Sequence, residues 1–221
     1  MIERGGAYYY KPQISAKNDQ TTTVKFGMAS SPVIKASDGV DFKTMYTDSS
    51  LGVFGIDYEQ KIITPLGPLG IQYGFGIITA TGHGRFSNAN IPAGDCTSNC
   101  TSLEKYTFYA LPISVGAVYR LEFTRRQWFA PYFAAGGTYF LLAELRDDGQ
   151  KSTYIGAPAV YGSAGAMINV TSWSRETAFT LDSEYGISNL WITGEYRRTQ
   201  TSNESLNLSS NTMNFGISVD Y

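Results

Sequence analysis

One histidine, two cysteines and thirteen leucines in 221 residues leave several kinds of protein without their usual parts. A tetrahedral metal site draws on several Cys and His ligands, and His83, Cys96 and Cys100 are all this chain offers. No apolar run approaches the ~18 to 20 residues of a spanning helix. Charged residues make up 16% of the chain, with a net charge of −2, against about 25% in an average soluble domain. No basic surface is available to neutralise phosphates, so nucleic acid is excluded as a partner. Few leucines and few charges also mean few strong helix formers.

What is present favours strands and turns. Glycine occurs 23 times, aromatic residues 31 times and Ser plus Thr 42 times. A hydrophobic content of 43% is enough to bury a core and excludes disorder. The length suits one domain, 1–221. The start, MIERGGAYYY, carries neither a basic n-region nor an apolar h-region, so any export signal is expected to have been removed.

Apolar residues alternate with small or polar ones along most of the chain, the period of a half-buried strand. The pattern predicts strands at 5–14, 49–64, 67–84, 105–124, 127–146, 156–173, 176–199 and 205–221. Without crossover helices between them, consecutive strands must be antiparallel. The predicted connections are 34, 2, 20, 2, 9, 2 and 5 residues long. Tight turns at one end and large loops at the other are the habit of outer-membrane barrels. The expected fold is therefore all-β, a transmembrane up-and-down antiparallel barrel of eight strands. Segment 15–48 is read as a long first extracellular loop. TTVKFGMASSPVI (22–34) could add a hairpin there, which makes ten strands the alternative.

The two faces of each strand support this reading. Tyr109, Leu111, Ile113, Val115 and Tyr119 share one face of a strand whose other face holds Ser114, Gly116, Arg120 and Glu122. Small and charged residues suit a narrow interior, and the large apolar face then points at lipid. Phe123, Trp128, Phe129, Trp173 and Tyr221 are placed in an aromatic girdle at the short-turn side, and Tyr106, Tyr185 and Trp191 in one at the loop side. A soluble lipocalin-like barrel with an apolar pocket accounts for the alternation but not for the loop parity.

The last residues, NFGISVDY, resemble the C-terminal strand that the outer-membrane assembly machinery recognises. The runs YALPISVGAVYRLEF (109–123), APYFAAGGTYF (130–140) and LDSEYGI (181–187), with FKTMYTDSS (42–50), resemble small outer-membrane β-barrel proteins of myxobacteria and their relatives. That resemblance implies architecture and location, not an activity.

Eight strands enclose an interior just wide enough for side chains to fill. Asp57, Glu59, Lys61, Arg120, Glu122, Glu144, Asp182 and Glu184 are expected to face it as a polar network. Paired, these charges plug the lumen; unpaired, they line a small pore for ions or solutes. Cys96 and Cys100, four residues apart in a turn-rich loop, are expected to form a disulfide. His83, Ser87 and Asp95 could compose a nucleophile–base–acid set, but all three fall in one loop, and no catalysis is assigned. No nucleotide loop is present and no cofactor or metal is expected. The expected partners are outer-membrane lipids, the assembly machinery and, through the long loops, an extracellular molecule. The protein is read as a monomer in the bacterial outer membrane.

Overall fold

The computed structural model describes residues 2–4, 7–9, 19–30, 32, 42, 50–64, 67–85, 101–124, 127–146, 153–201 and 208–221. A short ribbon pairs β1 (Ile2–Arg4) with β2 (Ala7–Tyr9). Eight strands form the main sheet: β3 (Gln20–Ser30), β4 (Ser50–Thr64), β5 (Gly67–Arg85), β6 (Thr101–Arg120), β7 (Phe129–Arg146), β8 (Thr153–Asn169), β9 (Asn189–Thr201) and β10 (Ser210–Asp220). Each pairs antiparallel with the next, and β10 returns to β3, so the sheet closes into a barrel. Closure satisfies the wall's backbone groups without leaving a sheet edge.

The strand count of eight agrees with the sequence, but two assignments do not. Residues 5–14 were expected to be the first barrel strand, and 15–48 the first loop. Only Ala7–Tyr9 of the former is a described strand, in the ribbon, and β3 of the barrel lies at 20–30, inside the expected loop. TTVKFGMASSPVI (22–34), expected as part of the first loop or as an extra hairpin, instead supplies most of a wall strand, with Thr21 and Lys25 buried in the lumen while Phe26 and Met28 face outward. An interior that wants polar side chains inverts the usual signal.

The second correction concerns 176–199. Ser174-Arg175 was read as a two-residue turn. Instead Ser174 caps a helix, α1 (Arg175–Tyr185), accepting a hydrogen bond from the Thr177 backbone N–H at 3.3 Å. Glu176 sits in its first turn and Gly186, at φ 68°, ends it; these are ordinary helix start and stop signals. A short 3₁₀ turn, Val170–Ser172, precedes α1.

Loop parity falls with that turn. The end of the barrel holding the start of β3 and the end of β10 carries connections 65–66, 121–128 and 170–188, while the other end carries 31–49, 86–100, 147–152 and 202–209. The tight connection 65–66 leads into Gly67, whose φ of 119° favours glycine.

The wall has the expected two faces. Phe26, Ile56, Phe75, Ile113, Val115, Phe133, Ile192 and Phe215 stand exposed on the outside. Phe26 lies between Phe54 and Phe215 in the ladder, with its ring 5.1 Å from that of Phe54. Inside, glycine makes room for large neighbours. A Cβ on Gly165 would meet the Tyr132 ring at 2.5 Å, and one on Gly74 would meet Asp57 Oδ1 at 2.6 Å.

The interior is layered. At the loop end, Ala29, Leu51, Ile78, Phe108, Phe140 and Leu142 form an apolar cluster with Phe42 and Leu208, which come from two loop-end connections. Phe42 meets Phe108 edge-on at 5.3 Å. The sequence reading had sent large apolar residues outward along the whole strand; at the mouth they also point in. Toward the other end lie the charges, with Val118, Tyr132, Tyr161, Met167 and Trp191 along one side.

Candidate functional site

Eight charged side chains fill the middle and lower lumen, and they divide into two groups of four. The upper group is Lys25, Asp57, Glu195 and Arg197. Lys25 Nζ donates to Asp57 Oδ2 and lies 3.4 Å from Glu195 Oε1. Arg197 closes the ring, with Nε 3.1 Å from Glu195 Oε1 and Nη2 3.7 Å from Asp57 Oδ2. Each cation touches both anions. Neutral donors complete the set: Gln72 Nε2 to Asp57 (3.0 Å), Asn214 Nδ2 to Glu195 (3.0 Å) and Tyr132 Oη to Glu195 (3.3 Å). The Arg197 guanidinium also stands 4.4 Å from the centre of the Tyr161 ring, within cation–π range.

The lower group is Glu59, Lys61, Arg120 and Asp220. Arg120 binds Glu59 through Nη2 and lies 3.3 Å from Asp220 Oδ1 through Nη1, while Lys61 Nζ reaches Asp220 Oδ1 at 2.8 Å. Asp220 is fully buried. It also accepts from Thr21 Oγ1 at 2.6 Å, Trp191 Nε1 at 2.6 Å and Asn189 Nδ2 at 3.4 Å. One carboxylate thus joins β10 to β3, β4, β6 and β9. Beside it the β3–β10 seam carries two more hydroxyl pairs, Thr22 with Tyr221 (2.9 Å) and Thr23 with Ser218 (2.6 Å).

Each group holds two cations and two anions, so each is formally neutral. That balance matters because burying an ion costs several kcal/mol unless partners repay it. Glu122, just beyond the end of β6, is half-buried beside the lower group, and burial pushes its carboxyl up, with the nearby Asp220 adding to the rise. Among the described residues, cavities of about 20 and 50 Å³ lie between these side chains. The smaller is lined by Glu59, Arg120, Glu195 and Asn214, among others. It has room for about one water.

Of the eight residues expected in the lumen, Asp57, Glu59, Lys61 and Arg120 belong to the two groups and Glu122 adjoins one of them. Three do not. Glu144 stands half-buried toward the loop end of β7, between Phe108 and Thr153 in the ladder. Asp182 and Glu184 lie on α1, because the segment read as strand is helix. Lys25, Glu195, Arg197 and Asp220 complete the groups. Asp220 is not among the eight residues expected there. Lys25 was hidden in the supposed loop, and Glu195 and Arg197 in a strand whose first half was wrong.

The aromatic girdle needs two corrections as well. Phe123, Trp128 and Trp173 are exposed, Phe129 and Tyr221 less so, and all lie at the turn end. Trp191 is fully buried in the lumen, where its indole N–H serves Asp220. Tyr185 is exposed but ends α1, so it belongs to the turn end rather than the loop end. Cys96, Cys100, Ser87 and Asp95 lie outside the described residues, as does the side chain of His83.

No protein-family profile matches the chain, and no characterised protein matches it significantly in sequence. Solved structures do match. OprG, an outer membrane protein of Pseudomonas aeruginosa, superimposes with a TM-score of 0.55 at 9% identity, over 92% of this chain and 96% of that one. Ail of Yersinia pestis, the attachment invasion locus protein, gives 0.50 at 14% identity, over 92% and 99%. Neisserial surface protein A gives 0.50 at 14%, over 93% and 98%. The fold is that of the bacterial outer-membrane barrels. At these identities the likeness speaks for the fold.

Proposed function

We propose that the protein is an integral outer-membrane barrel whose lumen is plugged by its own side chains, with a structural or surface-interaction role and no catalysis. The observation that carries the reading is the pairing inside the barrel. Eight lumen charges, all buried except the half-buried Arg197, close into two neutral groups, and an apolar cluster lies above them at the mouth. An ion entering from the loop end would cross an apolar layer and then compete with contacts already made. The exposed apolar wall supports residence in a bilayer and speaks against the soluble, lipocalin-like alternative, whose apolar face would point inward. The end holding the start of β3 and the end of β10 faces the periplasm in this reading, and connections 31–49, 86–100, 147–152 and 202–209 face outward.

Surface interaction rests on those connections, since 31–49 and 86–100 exceed the lengths common in compact domains. Ail, whose fold is similar, has been solved with the heparin analogue sucrose octasulfate. The finer resemblance to myxobacterial barrels, the monomeric state, the Cys96–Cys100 disulfide and recognition of the terminal strand by the assembly machinery belong to the same proposal.

Planar-bilayer recording of the refolded protein tests the plug. The expected result is a silent membrane. Discrete openings in the native protein that change with Arg120→Ala would refute the plug and establish the small pore instead.

A further inference from the structure

The connection between β8 and β9 is a structured segment at the turn end. It carries three large aromatic residues into the open: Trp173 is 70% exposed, Phe179 65% and Tyr185 68%. The helix between them is two-sided. At 3.6 residues per turn, Glu176, Thr180, Ser183 and Glu184 fall on one arc. Ala178, Leu181, Tyr185 and Phe179 fall on the other, with Arg175 and Asp182 among them. Ala178 is the one buried residue of this helix. Leu181 is half-buried, and Phe179 projects beyond Asp182 and Arg175, which separate it from Ala178 and Tyr185.

The segment starts on the aromatic rim. The Asn169 backbone N–H donates to the Trp128 carbonyl at 2.9 Å, so the chain leaves β8 beside the Trp128–Phe129 ring pair, whose centroids are 5.6 Å apart. Trp173 follows four residues later, continuing a rim already formed by Phe123, Trp128 and Phe129. Rings that are apolar in body and polar at the tip favour the boundary between lipid and water.

We propose that residues 170–188 form an interfacial anchor, α1 lying in the headgroup region of the phospholipid leaflet at the turn end with Trp173, Phe179 and Tyr185 at the boundary with the acyl chains and Arg175 and Asp182, which lie between the two helix rings, among the headgroups. The inference rests on the membrane reading above. The helix carries one basic residue, Arg175, against Glu176, Asp182 and Glu184. Its attachment therefore comes from apolar insertion rather than attraction to anionic lipid.

Tryptophan fluorescence against brominated lipid tests it. In a Trp128→Phe, Trp173→Phe background, the enclosed Trp191 gives a constant baseline. Phe179→Trp is then placed in phosphatidylcholine vesicles brominated near the headgroup end of the acyl chain, with Phe133→Trp on the outer wall as reference. Tyr185→Trp is the second reporter, and an unheated-versus-boiled gel shift verifies the fold of each. Quenching of Phe179→Trp or Tyr185→Trp by the lipid, with protection from aqueous acrylamide, is the expected result. If Phe133→Trp is quenched by the lipid while both helix reporters are quenched only by acrylamide, the anchor is refuted and the barrel stands. If none is quenched by the lipid, the membrane reading itself fails and takes the anchor with it.

Discussion

Asp220→Asn isolates what the lumen charges contribute. The substitution preserves shape but removes a negative charge from a side chain with no solvent exposure. The lower group changes from two cations and two anions to two cations and one anion, and Glu122 does not fully replace the lost partner because it is only half-buried. An amide also has one accepting atom where the carboxylate had two. Either the contacts on Oδ1, from Thr21, Lys61 and Arg120, or those on Oδ2, from Trp191 and Asn189, then face an NH₂ group. Breaking a buried ion pair by removing one partner costs about 3–5 kcal/mol, and a buried indole N–H left without an acceptor adds about 1–3 kcal/mol. The expected loss is therefore about 3–8 kcal/mol, the upper part of the range applying where the amide NH₂ faces Trp191, read from reversible urea unfolding of the vesicle-refolded protein by gel shift and fluorescence. Asp182→Asn on α1 is the comparison, expected to stay within about 0.5 kcal/mol. Adding Lys61→Met to Asp220→Asn restores neutrality and should cost less than the sum of the two single changes. A loss below about 1 kcal/mol for Asp220→Asn, or additivity in the double variant, refutes the view that charge balance holds the lower lumen together.

Other variants probe the remaining layers. Val115→Arg places a charge on the outer wall midway along the barrel, opposite Tyr73 and Gly137, and should cost about 2–4 kcal/mol in a bilayer; no change would put that face in water. Glu122→Gln should matter more as pH rises. The raised carboxyl holds its proton more tightly in the folded protein, so native stability falls with pH above the ordinary value of 4.5, and the glutamine variant should escape that fall in unfolding titrations. Phe42→Ala empties part of the mouth cluster and should destabilise by about 3–5 kcal/mol, measured by the same urea titration. In the native protein, acrylamide should quench neither of the signals lipid reaches, at Trp128 and Trp173, as strongly as exposed indole, and should leave Trp191 untouched.

The wall of this barrel was legible because its alternation is strong. Asp57, Glu59 and Lys61 oppose Phe54, Ile56 and Ile62 within one strand, and the pleat sends the two sets to opposite faces. The places that misled are those where local chemistry conflicts with ordinary expectation. Thr21 and Lys25 behave as core because this core is polar. Segment 175–185 contains residues that tolerate either a strand or a helix, and the period alone did not decide between them. Ser174, Glu176 and Gly186 did carry the answer, as cap, first-turn acid and left-handed terminator. The charged groups were half visible for a related reason. Alternation shows which way a side chain faces, but not which of eight strands lies across the lumen. Only closure brings Lys25 to Glu195 and Arg120 to Asp220.

The β3–β10 seam bears on the order of folding. Seven of the barrel's eight strand pairings join neighbours in sequence, whereas this one joins Thr21 to Asp220, 199 positions apart. Contacts so distant carry the largest loop-entropy cost, so the expected order is a nearly complete curved sheet first and the ring last. Such an open sheet would hold most of the strand content but lack the Thr21, Thr22 and Thr23 bonds to Asp220, Tyr221 and Ser218. Circular dichroism should therefore reach its final value before a reporter across Thr22 and Tyr221 does, and the lag between them measures the closing step alone.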